Sequence, residues 1–175
     1  MNLESYENDP QRSAAKVTEY VNELNLQPHP EGGFYRETYR AEGMVSLPVF
    51  NGERNISTGI YYLLEAGSFS AFHRIKSDEM WHFYDGTGLS VYLIDESGNL
   101  EVLRLGRNLA SGEQLQGVVP AGRWFASRVD SESGYALVGC TVAPGFDFQD
   151  FEMAERGELI SEFPQHSDLI ISLTR

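Results

Sequence analysis

The chain has 175 residues, a length that suits one folded domain with a substantial core. Hydrophobic residues make up 41% and charged residues 22%, which excludes an intrinsically disordered protein. The formal net charge of −13 repels polyanions, so we expect neither nucleic acid nor an anionic membrane surface as a partner.

Cysteine usage and the N-terminus indicate the cellular compartment. Cys140 is the single cysteine, so no disulfide can form within the chain, and its apolar neighbours predict a buried, unreactive thiol. The first ten residues carry neither a basic segment nor an apolar core of the kind found in signal peptides. No stretch approaches the roughly 20 apolar residues of a membrane helix. We therefore expect a cytoplasmic protein.

The first predicted element is a helix over residues 10–25. Asp9 suits the capping position and Pro10 the first helical position. Apolar residues then recur at the spacing of one helical face, namely Val17, Tyr20, Val21 and Leu24. This pattern predicts an amphipathic helix.

A loop and a strand follow the helix. Two prolines and the pair Gly32 and Gly33 prevent residues 27–33 from continuing it, and the glycines are expected to permit a tight turn. Residues 34–39 alternate as a strand that could pair between subunits at a sheet edge. Arg36 could bind a carboxylate or phosphate of a ligand, or pair with one of the protein's many acidic side chains.

The next part of the chain consists of short β-prone runs separated by turn sequences. These runs cover residues 58–64, 68–73, 80–84, 89–94, 100–105, 116–119, 124–129 and 135–142. About eight strands at this spacing predict a mainly all-β sandwich, jelly roll or barrel. Helices are expected over about 151–162 and 167–173. We expect a single domain over 1–175, with its barrel core at about 33–145 and a C-terminal helical segment at about 151–173.

One hairpin carries polar groups that a plain β core does not require. His73 and Glu79 flank its turn, so facing strands would point both side chains into one cavity. An imidazole beside a carboxylate can bind a metal or transfer a proton. Burying such groups without a role costs roughly 1–3 kcal/mol for each imperfectly satisfied one, so we favour a functional pair.

The same segment resembles the first motif of the cupin superfamily. The match is in register at Gly67, His73, Glu79 and Gly86, and residues 120–122 match the Pro-x-Gly core of the second cupin motif. Strings at 30–37, 73–83 and 142–151 make the chain similar to a small cupin branch labelled as a domain of unknown function. The resemblance implies an RmlC-like jelly-roll β-barrel, with an N-terminal helix and short C-terminal helices, that is commonly a homodimer.

Two positions depart from the cupin pattern. Cupins usually hold a divalent metal with three histidines and one glutamate, but Ile75 and Phe125 occupy two of the histidine positions here. Two remaining ligands make a poor metal site, so we expect no resident metal cofactor. If a metal were bound, His73 and Glu79 would need His82. Strand alternation places His82 on the face opposite to Glu79, so this site requires a β-bulge at residues 78–79.

The resulting hypothesis is a metal-independent isomerase or epimerase acting on a small polar, sugar-like molecule. His73 would be the general base, Glu79 would orient or charge it, and Tyr61 or Tyr84 would return the proton. The chain resembles sugar-nucleotide epimerases with this barrel, which pair a barrel histidine with a tyrosine. Several aromatic side chains could form a stacking wall or simply fill the core, namely Phe72, Trp81, Phe125 and Tyr61.

Two alternatives remain open. In one, the cavity only binds or senses a metabolite, as apolar residues at metal-ligand positions would allow. In the other, a metal-dependent dioxygenase or isomerase uses His73, Glu79 and His82, which would converge within about 2–2.3 Å of one point.

Overall fold

A computed structural model describes residues 10–175 of the chain. Its strands, in chain order, are β1 (Gln27–Pro28), β2 (Phe34–Arg40), β3 (Met44–Val45), β4 (Arg54–Asn55), β5 (Thr58–Glu65), β6 (Phe69–Arg74), β7 (Asp78–Gly86), β8 (Leu89–Ile94), β9 (Leu100–Leu105), β10 (Gln116–Val119), β11 (Trp124–Val129), β12 (Tyr135–Ala143) and β13 (Glu152–Met153). Its α-helices are α1 (Pro10–Glu23), α2 (Arg156–Glu162) and α3 (Ser167–Ser172).

The strands form two principal antiparallel sheets. The first has the order β1-β2-β5-β12-β7-β10 and the second the order β13-β6-β11-β8-β9. Strands distant in sequence therefore lie side by side, as in a jelly roll. The predicted mainly all-β barrel with an N-terminal helix and short C-terminal helices is confirmed.

The main core lies between the two sheets. Along β7, Glu79, Trp81 and Phe83 are buried, whereas the residues between them are half-buried or exposed, as strand alternation predicts. The same alternation in β12, β8 and β11 fills the space between the sheets with apolar side chains. The inner faces thus supply a rigid wall for any cavity at the barrel mouth.

The N-terminal helix covers part of the outer face of the first sheet. Val17 is buried there together with Leu63 and Leu137, so the predicted apolar face does pack on the domain. The helix ends two residues earlier than expected because Asn25 adopts a left-handed conformation with φ of 52°. The predicted cap, Asp9, lies outside the described residues.

The C-terminal helices cover the outer face of the second sheet. Leu159 of α2 and Ile170 of α3 are buried against Phe72 and Trp124. Helix α2 begins at Arg156, later than the expected start at about residue 151. The preceding residues form β13, which pairs with His73 and Arg74 of β6, so the sheet takes the backbone hydrogen bonds that a helix would need.

Within residues 10–175, no helix has both the length and the apolar character required to cross a membrane.

Candidate functional site

A cavity of about 330 Å³ opens at one end of the barrel. Its floor carries His73 from β6 and Glu79 from β7, together with Ile75 and Cys140. A cavity of this size can enclose a small metabolite, since ligand sites usually measure roughly 300–1,000 Å³. The two side chains that the sequence placed in one cavity do line the same cavity.

The loop between β1 and β2 brings two further ionisable side chains to the floor. His29 and Glu31 both line the cavity, although the chain between α1 and β2 indicated only a turn. The backbone closes tightly here, with the amide of His29 donating to the Gly33 carbonyl at 2.9 Å. Gly32 has φ of +117°, and a Cβ at this position would collide with the Phe69 carbonyl. The glycine therefore lets the loop lie against β6.

His73 uses both of its ring nitrogens within the protein. Nδ1 lies 2.7 Å from the Ala71 carbonyl, which can only accept, so Nδ1 carries a proton. Nε2 lies 2.9 Å from a carboxylate oxygen of Glu31. Burial opposes charge on both side chains, but their mutual attraction and hydrogen bond outweigh it. The pKa of His73 is therefore raised and that of Glu31 lowered, which makes them an imidazolium–carboxylate pair.

Among residues 10–175, Glu79 has no such ionic partner in hydrogen-bond contact. It is 8% exposed. Burial is the largest cause that raises the pKa of Glu79 to about 7, and the Glu31 carboxylate raises it further, while His73 and a hydrogen bond from the Cys140 thiol oppose the rise. Glu79 therefore exchanges a proton close to neutral pH. Cys140 is buried, as expected, and burial and Glu79 hold the pKa of its thiol well above the usual range.

The tyrosines expected to return a proton do not reach this floor. Ile60 lines the cavity, so the neighbouring Tyr61 points to the opposite face of β5, and its ring contacts Tyr84 at a centroid distance of 6.0 Å. Tyr84 is 46% exposed on that outer face. We therefore correct the assignment of both tyrosines, because the sheet separates them from His73.

The other expected ligand-binding side chains also lie away from the cavity surface. Phe72 packs under the C-terminal helices, on the opposite face of β6 from His73. Trp81 and Phe125 belong to the main core, where the Phe125 ring supports the His73 ring at a centroid distance of 4.0 Å. Arg36 is exposed and donates to the Leu24 carbonyl at 3.1 Å. For Phe72, Trp81 and Phe125 the packing interpretation replaces the binding one, and Arg36 lies outside the cavity lining.

The aromatic wall comes instead from residues 146–151, which we call the aromatic segment. Phe146, Phe148 and Phe151 line the cavity and contact one another edge to face. Asp150 anchors this segment through a buried double hydrogen bond with Arg54, at 2.6 and 3.0 Å. Residues 142–151 contributed to the family resemblance without indicating a ligand contact, so the position of these phenylalanines at the cavity is new.

The cavity mouth carries an arginine whose charge is already compensated. Arg40 donates to both carboxylate oxygens of Glu37, at 2.9 and 2.7 Å. It also donates to the Asn55 side chain at 2.7 Å and to the Phe146 carbonyl at 3.2 Å. Among the described residues that line the cavity, it is the only lysine or arginine, so the cavity offers no free cation to an anionic ligand.

The donor set does not fit the metal that the cupin resemblance implies. Ile75 presents an apolar side chain, and both nitrogens of His73 are engaged. The register of β7 and β12 continues through Glu79 and Asp78 without a bulge, and His82 contacts the Thr141 hydroxyl at 3.1 Å on the other face. Within residues 10–175, no group of three or more His, Cys, Asp or Glu side chains is arranged to hold a metal ion. The convergence of His73, Glu79 and His82 required by the metal hypothesis does not occur.

Comparison with known families gives a match over most of the chain. Residues 18–154 match a family described as cupin superfamily (DUF985). An uncharacterized protein of Saccharomyces cerevisiae is 32% identical over 150 residues, which covers 78% of this chain and 74% of the yeast protein.

Solved structures show the same similarity. A protein from Shewanella oneidensis is 41% identical with a TM-score of 0.83, covering 90% of this chain and 96% of that one. A hypothetical protein from Leishmania major is 33% identical with a TM-score of 0.84, covering 90% and 97%. Oxalate decarboxylase from Bacillus subtilis is 17% identical with a TM-score of 0.54 over 83% of this chain and 36% of its own, a likeness of fold alone.

Proposed function

Since the chain belongs to the cupin superfamily, in the branch described as DUF985, we propose that its barrel cavity binds a small uncharged molecule and isomerises it by metal-independent proton transfer through Glu79. One observation carries this proposal. Glu79 is a buried carboxyl that lines the cavity and forms no direct ion pair with another described residue. Such a group can both accept and return a proton near neutral pH.

Glu79 replaces His73 as the acid–base group of this proposal. A general base needs a free lone pair, and the contacts of His73 with Ala71 and Glu31 leave none on its ring. The role of His73 is to compensate the Glu31 charge and to stabilise the ionised form of Glu79. It is therefore a positioning residue beside the reacting carboxyl.

The charge distribution favours an uncharged ligand. Glu31, Glu37, Glu79 and Asp147 line the cavity, and Arg40, the only arginine among the described lining residues, is paired with Glu37. A phosphate or carboxylate would meet these negative charges without gaining an unpaired cation. Sugar nucleotides thus fit poorly, whereas neutral monosaccharides and small carbonyl compounds remain suitable.

The position of Glu79 also selects the class of reaction. The Glu79 carboxylate removes a proton from the carbon beside a carbonyl, the C–H electron pair forms the C=C bond of an enolate, and the carbonyl π pair moves onto oxygen. The resulting carboxylic acid delivers its proton to that oxygen, which gives the enol and restores the carboxylate. A keto–enol isomerisation needs only this one group. Epimerisation needs a second proton carrier on the opposite side, and neither Tyr61 nor Tyr84 is available for that role.

The second candidate function is binding without chemistry. The observation favouring it is that neither Tyr61 nor Tyr84, the side chains expected to return the proton, is among the described residues that line the cavity. A sensing protein would need the same cavity but no proton carrier.

Exchange of carbon-bound protons separates the two functions. We expect the wild-type protein to exchange the methyl protons of acetophenone with D₂O, followed by ¹H NMR, and the exchange rate to rise with pH through about 7 because the carboxylate is the base. Glu79→Gln should lose the exchange, whereas Glu53→Gln, at an exposed site, should retain it. If the exchange rates of wild type and Glu79→Gln were equal, catalysis by Glu79 would be excluded and the binding function would be the remaining candidate.

The same experiment addresses the metal. We expect the exchange to survive treatment with a chelator and the protein, purified without a nickel column, to contain less than stoichiometric metal by mass spectrometry. Exchange that disappears with the chelator and returns with Mn²⁺, Fe²⁺ or Zn²⁺ would contradict a metal-independent reaction.

We also propose that the chain forms a homodimer through the outer edge of β2. β1 pairs only with Phe34 and Tyr35, so within residues 10–175 nothing pairs with the outer edge of the remainder of β2. Tyr39 on this edge is 56% exposed. A second copy of β2 would satisfy the free backbone groups. A cytoplasmic location stays a prediction.

A further inference from the structure

His29 presents a hydrogen-bond donor to the cavity. Its Nδ1 accepts from the backbone amide of Glu31 at 3.3 Å, which a protonated Nδ1 could not do. The nearest carboxylate oxygen of Glu31 lies 3.7 Å from the same nitrogen, too far for a hydrogen bond. The single proton of the neutral ring is therefore on Nε2.

The protein keeps this ring neutral and in place. Burial is the main cause that lowers the pKa of His29; the Glu31 carboxylate opposes that shift, and the His73 charge adds to it. The ring is held edge to face by Tyr35, with a centroid distance of 4.5 Å, and by Tyr62 at 6.0 Å. Its orientation is thus fixed by packing before any ligand binds.

The Nε2–H group of His29 remains available to a ligand. Among the described residues, no side chain or carbonyl accepts a hydrogen bond from it. The nitrogen is also not enclosed away from solvent. Because His29 lines the cavity, this donor faces the space that a ligand would fill. A ligand that excludes solvent from this donor without supplying an acceptor would leave it unsatisfied at a cost in affinity.

We propose that His29 selects the ligand by donating its Nε2–H to a carbonyl oxygen, so that the site takes neutral ketones, aldehydes or amides and rejects carboxylates. This inference rests on the proposed function, which it deepens. The Glu31 carboxylate lies 3.7 Å from the His29 ring, so it would repel an acceptor with a full negative charge but not a neutral carbonyl. A neutral imidazole can also polarise the carbonyl whose neighbouring carbon loses a proton to Glu79.

The test uses three probes of nearly equal shape: acetophenone, benzyl alcohol and benzoate. Affinities are measured by NMR titration of the whole chain, with ¹⁵N-labelled histidine reporting the His29 ring directly. We expect acetophenone to bind more tightly than benzyl alcohol, and benzoate not to saturate. The ring nitrogens of the free protein should show the Nε2–H tautomer, and acetophenone should shift the Nε2 resonance.

Variants of His29 isolate the donor. His29→Phe keeps an aromatic ring without the N–H and should weaken acetophenone about tenfold, the loss of one hydrogen bond in a sheltered site. His29→Gln restores an N–H near the same place and should stay within about threefold of wild type. His82→Gln changes a histidine on the far face of the sheet and should leave the affinity unchanged.

The outcomes distinguish this inference from the proposed function. An Nδ1–H tautomer, saturable binding of benzoate as tight as that of acetophenone, no binding of acetophenone, or an unchanged affinity in His29→Phe would each overturn the role of His29. The tautomer needs no variant, so a poorly folded substitution does not affect that result. Glu79→Gln should bind acetophenone normally yet fail to exchange its protons. If wild type binds through His29 without any exchange, the isomerase fails and the ligand selection stands.

Discussion

At the scale of single residues, the cavity floor shows how the environment divides roles among similar groups. Glu31 and Glu79 are both buried carboxyls, but only Glu31 contacts the His73 ring, at 2.9 Å. That contact lowers the pKa of Glu31, while burial raises that of Glu79 to about 7. One carboxyl is therefore a fixed charge and the other an exchangeable proton carrier.

The raised pKa of Glu79 has a consequence for stability. The carboxyl binds its proton more tightly in the folded chain, where the pKa is about 7, than at its ordinary value of 4.5. Folding therefore takes up a proton between these values. The free energy of unfolding falls as pH rises through this window, by about 3 kcal/mol, and this contribution is constant outside it.

Glu79→Gln should remove this loss. The difference in unfolding free energy between wild type and variant, from urea denaturation followed by circular dichroism at pH 4.5 to 8, should change by about 3 kcal/mol in favour of the variant. Glu31 and His73 titrate in both proteins, so their contributions largely cancel in this difference. Glu53→Gln should follow wild type at every pH, and a pH-independent difference for Glu79→Gln would contradict the raised pKa.

The residue scale also shows what the sequence could predict of the site. The hairpin pattern identified His73 and Glu79, since both follow from spacing within one motif. His29 and Glu31 were missed because their approach to His73 depends on a turn that folds a distant loop onto β6. Gly32 and Gly33 did predict a tight turn at this place, but the sequence did not indicate that the turn lies against β6.

At the scale of elements, the aromatic segment connects the barrel to its C-terminal helices. It follows β12, carries three phenylalanines to the cavity and continues into β13 on the opposite sheet. Strand positions were predicted well because Gly-rich turns separate them. The start of α2 was not, since pairing with β6 overrides the local helical tendency of residues 151–155.

The buried pair of Arg54 and Asp150 should determine the order of this segment. Asp150→Asn leaves the Arg54 guanidinium enclosed without its carboxylate, so we expect the melting temperature to fall by several degrees. Acetophenone affinity should fall too, because Phe146, Phe148 and Phe151 lose their anchored position. Differential scanning calorimetry and NMR titration measure the two effects.

Asp130→Asn is the matched control, since Asp130 is exposed. It should leave both quantities unchanged. An Asp150→Asn protein with wild-type melting and affinity would show that packing of the phenylalanines alone holds the segment.

At the scale of the whole molecule, the free edge of β2 and the large negative charge act in opposite directions. The edge offers backbone groups to another chain, while a net charge of −13 discourages indiscriminate association. A specific two-fold pairing of β2 is the arrangement that satisfies both. The family resemblance predicted a dimer, and the strand order supplies a surface for it.

Light scattering coupled to size-exclusion chromatography checks this assembly. We expect twice the mass of the 19.6 kDa chain, and a shift toward monomer in Tyr39→Lys, because a charged side chain disfavours edge pairing. Leu109→Lys alters a residue of similar exposure away from β2 and should remain dimeric. A monomeric wild type, or a dimeric Tyr39→Lys, would exclude β2 as the interface.

The two buried tryptophans give the molecule its own optical reporters. Trp81 is 1% exposed in the core beneath the cavity, and Trp124 is 8% exposed beneath the Arg74 guanidinium. Neither indole N–H has a hydrogen-bond partner among the described residues. Their emission should therefore be blue-shifted in the native state and move to the red on unfolding. Because Trp81 touches the Phe125 ring that supports His73, its fluorescence should also register a ligand entering the barrel, without any attached dye.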